Sequence, residues 1–233
     1  MPRDVGVIVV AAGRSARLPG AIPKQFRPLA GVPLLLRALR PFTSHPEVAH
    51  TVVVLPEAEA GSPPEWLRPL VGGTLTVIAG GPERTDSVAR GLAALPAACA
   101  TVLVHDAARP LVDRAVIDPV IAAAREGVGA VPAIPVSDTI KETSGTVGGR
   151  VVRTIPRDRL WRAQTPQGFP RRLLERAYAE ARATAARATD DAALVERLGV
   201  EVRIVPGSAR NLKVTTEEDW FVVQALVEAL EGR

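Results

Sequence analysis

Arg17, Lys24, Arg109, Arg157 and Lys213 are scattered along the chain, yet most of them stand where an apolar run gives way to a loop. Asp106 follows the apolar run Thr101–His105 in the same manner. Cations gathered around a transferring phosphoryl group stabilise its developing charge, and removing one such donor typically costs about 10²–10³ in rate. Nothing in the chain has a Ser-His-Asp or Cys-His pattern, and His45, His50 and His105 lack metal-ligand spacing. The chemistry these residue types suit is therefore a reaction between anions, run by positioning and electrostatics.

Five motifs surround these charges. The run Val7–Val10 stops at Ala11-Ala12-Gly13, where the lack of a side chain at Gly13 lets backbone N–H groups approach an anion. Arg14, Arg17 and Lys24 follow, and Pro23 restricts the backbone that aims Lys24. The ending of a Walker A loop is missing, and so is the second glycine of a dinucleotide turn, which excludes a Rossmann oxidoreductase. In VHDAARPL, Asp106 and Arg109 sit just beyond a buried strand, where an acid can orient a hydroxyl or a Mg²⁺ ion and an arginine can hold a phosphate. GGPERTDSV places Arg84, Asp86 and Ser87 at a helix start behind two glycines, a setting for a nucleotide base or ribose. WRAQTPQGF and TDDA add Thr165, Gln167 and Thr189 as neutral donors beside Arg157, and Lys213 is expected at a strand end ahead of the last helix.

The elements that must position these groups alternate. Strands are expected at Val5–Val10, Thr51–Leu55, Thr74–Ile78, Thr101–His105, Gly129–Ile134 and Val200–Val205. Helices are expected over Val32–Phe42, Thr85–Leu95, Asp113–Glu126, Arg171–Arg187, Asp190–Leu198 and from Thr216 onward. Thr85, Asp86 or Ser87, then Asp113, Thr189 and Thr216, are the expected caps. Alternation of this kind predicts an α/β domain: a mostly parallel twisted sheet with helices on both faces and right-handed crossovers. Residues 1–233 are read as one domain. Ser137–Ile155 breaks the alternation with two short strands around a Gly-rich turn, a β-hairpin arm with little core of its own. Its expected partner is a second subunit. Glu57–Pro69 reads as a surface excursion.

Composition narrows the classes further. The 233 residues are 47% hydrophobic, so a sizeable core can be buried. A net charge of +4 and only 3% aromatics argue against a nucleic-acid platform and for a small anionic ligand. The lone Cys99 excludes an internal disulfide and suits a reducing cytoplasm, where it reads as a buried filler. No apolar stretch approaches the roughly 20 residues that span a bilayer.

Taken in order, AAGRSARLPGAIPKQF, GGPERTDSV, VHDAARPLV, PVSDTIKE, WRAQTPQGF, TDDAALVE and NLKVTTEEDW resemble the 2-C-methyl-D-erythritol 4-phosphate cytidylyltransferases over Val7 to Trp220. The resemblance implies a Rossmann-like nucleotidyltransferase fold, a homodimer joined through the 137–155 arm, and Mg²⁺-dependent transfer of CMP from CTP to the methylerythritol phosphate with release of pyrophosphate. It implies that Ala11, Ala12, Gly13, Gly81 and Ser87 contact the cytidine. It assigns Arg17, Lys24 and Lys213 to the triphosphate and the transition state. Asp106, Arg109 and Thr139 would line the acceptor side, completed by Arg157, Thr165 and Thr189 from the partner subunit. Ser15, Pro82 and Arg210 depart from the family pattern, which usually has a glycine, an acid and an acid there. The alternatives are a cytidylyltransferase for another polyol phosphate, such as ribitol 5-phosphate, and a nucleotide-binding module without catalysis.

Overall fold

A computed structural model describes residues 2–13, 18, 20, 22–184 and 188–232. Arg17 and Ser15 therefore lie outside the described residues, as do the last three residues of the helix expected to reach Arg187.

The chain opens with β1 (Val5–Val10), whose Val7 and Val9 face one side and Ile8 the other, all fully buried. A two-stranded corner follows, β2 (Pro28–Leu29) and β3 (Val32–Pro33), turning through Ala30 and Gly31, both at positive φ. Helix α1 (Leu34–Thr43) starts two residues later than its hydrophobic pattern predicts, because Val32 and Pro33 pair with that corner. Next come β4 (Val48–Leu55), α2 (Glu57–Gly61), β5 (Leu75–Ala79), α3 (Arg84–Ala94), β6 (Thr101–Asp106), α4 (Arg114–Arg125) and β7 (Gly129–Pro135). The expected surface excursion is only partly one: Glu57–Gly61 is helical, and Leu67 is fully buried.

The arm consists of β8 (Ile140–Thr143) and β9 (Val151–Ile155), antiparallel and forming a sheet of their own. Two strands were not legible in the sequence, β10 (Trp161–Ala163) and β11 (Gln167–Pro170), and both run antiparallel to β7. Helices α5 (Arg171–Ala183) and α6 (Asp191–Glu196), strand β12 (Val202–Pro206) and helix α7 (Glu217–Glu231) complete the fold.

Among the described residues eight strands make the main sheet, in the order β5-β4-β1-β6-β11-β7, with β10 and β12 also paired to β7. The β1–β4, β1–β6, β4–β5 and β7–β12 pairs are parallel. One face packs against α1 and α4 through Leu35, Leu39, Val116, Ile117 and Val120. The opposite face packs against α3, α5 and α6 through Val88, Leu92, Leu174 and Val195. Strand β1 lies between β4 and β6, so the chain proceeds one way from β1 and returns to its other side. Open α/β sheets bind ligands at such a switch point, beyond the carboxyl ends of the strands.

Two caps and the setting of Lys213 differ from expectation. Helix α3 begins at Arg84 with Glu83 as its cap, and Asp86 returns the bond as a capping box. For α6 the cap is Asp190, whose side chain accepts from Ala193 N, which leaves Thr189 one residue outside the helix. Lys213 lies in an irregular segment between β12 and α7, not at a strand end. Asp113 and Thr216 cap α4 and α7 as expected.

Candidate active site

The carboxyl ends of β1, β4, β5 and β6 fall on one edge, since Val10 pairs with both Val54 and Asp106 and Leu55 pairs with Ala79. The turns leaving these strands build a cleft of about 660 Å³ lined by Ala12, Gly13, Lys24, Gly80, Gly81, Arg84, Ser87, Asp106 and Lys213. A second hollow of about 320 Å³ adjoins it, with Ala11, Gly13, Lys24 and Lys213 in its wall. A third, of about 190 Å³, is lined by Arg84, Asp106, Arg109, Thr165, Gln167, Thr189 and Lys213.

Backbone bonds fix the walls of the large cleft. Ala11 N donates to Val54 O, Ala107 N to Val10 O and Gly80 N to Leu55 O, so each strand end is held by its neighbour. The Ser87 hydroxyl accepts from Gly81 N at 3.1 Å and donates to Glu83 O at 3.2 Å, closing the turn into α3. Both glycines are required there. A Cβ at Gly80 would lie 2.5 Å from the Ala12 Cβ, and one at Gly81 would lie 2.3 Å from the Asp86 Cβ.

Two lysines enter from opposite walls and meet on one segment. Lys24, in a short 3-10 turn behind Pro23, donates from Nζ to Val214 O at 2.6 Å. Lys213 Nζ lies 2.6 Å from Asp106 Oδ2. That segment is clipped to the turn after β6, because Val214 N donates to Ala108 O and Arg109 Nη1 donates to Asn211 O at 2.7 Å.

Asp106 is buried between cations. Arg84 lies 3.3 Å from its Oδ1, and Arg84 Nη2 also reaches Asp191 Oδ2 at 2.8 Å. Burial pushes the Asp106 carboxyl up, but Arg84 and then Lys213 outweigh it and hold the group well below the usual carboxylate range. It is ionised at neutral pH. Burial likewise works against the Arg84 charge, and the carboxylates of Asp191 and Asp106 overcome it and raise the guanidinium above its ordinary value.

Beneath this pair lies His105, fully buried, with Nδ1 3.1 Å from Thr165 Oγ1 and Nε2 3.1 Å from Arg109 O. Burial lowers its pKa to about 4, so it stays neutral and serves as a hydrogen-bonding post rather than a base. The Thr165 hydroxyl accepts from Asp106 N at 3.0 Å.

The structure brings most of the expected residues together. Ala11, Ala12, Gly13, Lys24, Gly81, Ser87, Asp106 and Lys213 line the two larger cavities, and Arg109, Thr165 and Thr189 join Asp106 in the third. One expectation changes: Thr165 and Thr189 face the Asp106 of their own chain, so neither has to be supplied by a second subunit. Thr139 and Arg157 stand apart, exposed at the base of the arm, where Arg157 Nη1 donates to Ser137 O.

Sequence reasoning placed Arg84 at a helix start but gave it no part in the chemistry. A cation in the first turn of a helix opposes the macrodipole, and that local misfit was the available signal. The buried Asn211 and Gln164 were missed entirely. Asn211 Nδ2 donates to Thr165 O, and Gln164 bonds Ser208 through both ends of its amide.

A profile of the 2-C-methyl-D-erythritol 4-phosphate cytidylyltransferases, IspD, matches residues 5–229. The chain belongs to that family. The cytidylyltransferase of this name from Salinibacter ruber is 44% identical over 223 residues, spanning 95% of this chain and 92% of that one. Its counterpart from Frankia casuarinae is 45% identical over 224 residues, 96% of this chain and 81% of the other. The crystal structure of the Thermus thermophilus cytidylyltransferase superposes with a TM-score of 0.80 at 37% identity, covering 97% of this chain and 99% of that one. The mostly parallel α/β sheet is thus the nucleotidyltransferase fold of the family.

Proposed function

We infer that the chain carries out its family's reaction: transfer of CMP from CTP to 2-C-methyl-D-erythritol 4-phosphate, releasing pyrophosphate, in isoprenoid precursor synthesis. The observation that carries the assignment of roles is the position of Asp106 and Lys213, which line both the large cleft and the smaller one beside it. A nucleotide held in the first and a phosphorylated acceptor held in the second would meet at that shared wall. Ala12, Gly13, Gly81 and Ser87 supply the backbone-rich side suited to cytidine, with Ala11 behind them. Lys24 and Lys213 face the phosphates, and Arg17 is assigned with them.

The acceptor phosphate oxygen attacks the α-phosphorus in line, the new P–O bond forms, and the bond to pyrophosphate breaks. That oxygen is an anion at neutral pH, so no general base is needed, in keeping with a neutral, fully bonded His105. What remains is to bring two polyanions together against their repulsion, and the lysines and arginines perform that work.

Mg²⁺ fits this donor set. It is held in nucleotide sites by one or two carboxylates plus substrate phosphates rather than by a protein cage. Among the described residues no three His, Cys, Asp or Glu side chains converge, but Asp106 offers one ionised carboxylate at the cleft wall. A bound ion would neutralise charge on the triphosphate, and Asp106 would hold it.

The arm is assigned to a homodimer. Its sheet has no core, Val147, Val151 and Val152 are exposed along it, and it carries Thr139 and Arg157 away from the clefts of its own chain. Pairing of two arms would cover those valines and offer Arg157 to the acceptor. We read residues 1–233 as one domain with this arm, acting in the cytoplasm. Among the described residues no helix is long and apolar enough to cross a membrane, and the lone thiol, Cys99, is buried.

Pyrophosphate release from CTP and Mg²⁺ tests the reading, with methylerythritol phosphate and ribitol 5-phosphate as separate acceptors. Fast release with the first alone is expected. Release with the second alone would keep the mechanism and change the acceptor, and release with neither would overturn the catalytic reading.

A further inference from the structure

Asp191 is fully buried, a costly place for a carboxylate unless both of its oxygens are engaged. They are. Oδ2 takes Arg84 Nη2 at 2.8 Å, and Oδ1 accepts from the Tyr178 hydroxyl. Arg84 then reaches on to Asp106 Oδ1 at 3.3 Å, so one guanidinium bridges two carboxylates on different elements. The anchor is built from three helices: α3 supplies Arg84, α5 supplies Tyr178 and α6 supplies Asp191. Asp191 sits in the first turn of α6, where the helix dipole favours its charge. Arg84 sits in the first turn of α3, where the dipole disfavours it, so its place is set by these partners.

The two cations on Asp106 differ in how they are held. Lys213 is 43% exposed and reaches Asp106 with a flexible stem, whereas the guanidinium of Arg84 is fixed from behind by Asp191. Arg84, Asp106 and Lys213 all line both the large cleft and the acceptor-side hollow. A phosphate entering this wall would compete with Asp106 for Lys213 and would leave the Arg84–Asp191 contact in place.

We propose that Arg84, anchored by Asp191 and Tyr178, is a positioning residue that keeps the Asp106 carboxylate oriented while Lys213 is given over to substrate phosphate. The anchor also ties Asp106 to the start of α6, whose preceding residues Thr189 and Asp190 line the acceptor-side hollow. Gln167 strengthens that tie, donating to Asp190 Oδ2 at 2.7 Å and accepting from Ala192 N. The inference rests on the proposed cytidylyl transfer and adds to it a buried relay that fixes one reacting wall.

The test is a cycle of Arg84→Gln, Asp191→Asn and the double variant, with Arg84→Lys and Tyr178→Phe beside it. Each is assayed for pyrophosphate release with CTP, Mg²⁺ and methylerythritol phosphate, and for thermal midpoint. Arg84→Gln alone leaves Asp191 buried without its cation and should lower both. The double variant removes both charges and should regain most of the lost midpoint, yet keep kcat about 10–100-fold down with the KM for CTP within about threefold. Arg84→Lys keeps one charge but cannot bridge two carboxylates, so it should stay folded with kcat reduced about tenfold. Tyr178→Phe should lower kcat only about two- to fivefold. Wild-type kcat in the double variant, or in folded Arg84→Lys, would overturn the inference. The wild-type enzyme run in the same series separates the two claims, since its own failure to release pyrophosphate would count against the proposed function and not against the relay.

Discussion

The wall around Asp106 and the arm at residues 137–155 are built on opposite plans. At the wall the charged groups are cross-linked: Asp106 to Arg84 and Lys213, Arg109 to Asn211 and Ala163, Lys24 to Val214. On the arm Thr139 is exposed, as is Arg157 at its base, and among the described residues the strands pair only with each other. The difference teaches where a single chain is self-sufficient. A nucleotide needs a surface arranged before it arrives, and the sheet edge provides one. In the proposed dimer the acceptor side would have part of its surface in one chain and take Arg157 from the other.

Acid should strip the wall and spare the arm, and this is the largest effect expected. His105 has its pKa lowered to about 4 from 6.5, so the unfolded chain binds a proton more readily between those values. The stability it contributes is complete above pH 6.5 and is lost as the pH falls toward 4, by about 3 kcal/mol at 1.36 kcal/mol per unit. Urea midpoints of the ligand-free protein from pH 7 to 4 would register the loss, and His105→Gln should flatten the slope. An equal slope in that variant would remove His105 as the cause.

On the same wall, Lys24→Ala and Lys213→Ala should each reduce turnover about 100-fold while circular dichroism stays unchanged. Near-wild-type turnover in either would sink its assignment to the phosphates. Arg157→Ala addresses the arm: the acceptor KM should rise about tenfold with the KM for CTP within about twofold. Mixing the Arg157→Ala and Lys213→Ala proteins sharpens the contrast. Assayed with the acceptor well below its KM, random exchange of subunits makes half the dimers mixed and gives each one intact composite site, so roughly a quarter of wild-type activity should return. No recovery after exchange would place Arg157 in its own chain's site. The smallest energetic effect belongs to Val152→Asp, an exposed arm position. It should halve the mass seen by light scattering while changing subunit stability by less than about 0.5 kcal/mol.

How much of this was legible depended on what held each part. Strands β1, β4 and β6 are valine-rich apolar runs, largely buried on both faces, and those runs located them within three residues. Strands β10 and β11 are short, polar in part and interrupted by Gln164, Thr165 and Pro166, so no alternation announced them. The cap of α6 was misread because Thr and Asp stood side by side and only geometry could choose between Thr189 and Asp190. Helix α3, by contrast, begins one residue early and is capped by Glu83, outside the expected Thr-Asp-Ser run. Charged residues at loop starts were visible as candidates. Their partners were not, because Arg84 meets Asp191 across 107 positions and Arg109 meets Asn211 across 102. The family motifs bridged that gap for the residues to which they assign roles; they contain Arg84 and Asp191 but do not pair them, and Tyr178 lies outside them.

The two crowded glycines have a consequence for inhibition. A compound resting against Gly80 and Gly81 would press on a surface that the protein has few ways to reshape, since any side chain there collides with Ala12 or Asp86 before it reaches the compound. Escape by substitution at those two positions would shift the start of α3 and, with it, Ser87 and Arg84. Resistance would have to arise elsewhere in the cleft. An inhibitor footprint confined to that wall would leave the organism few single-step routes out.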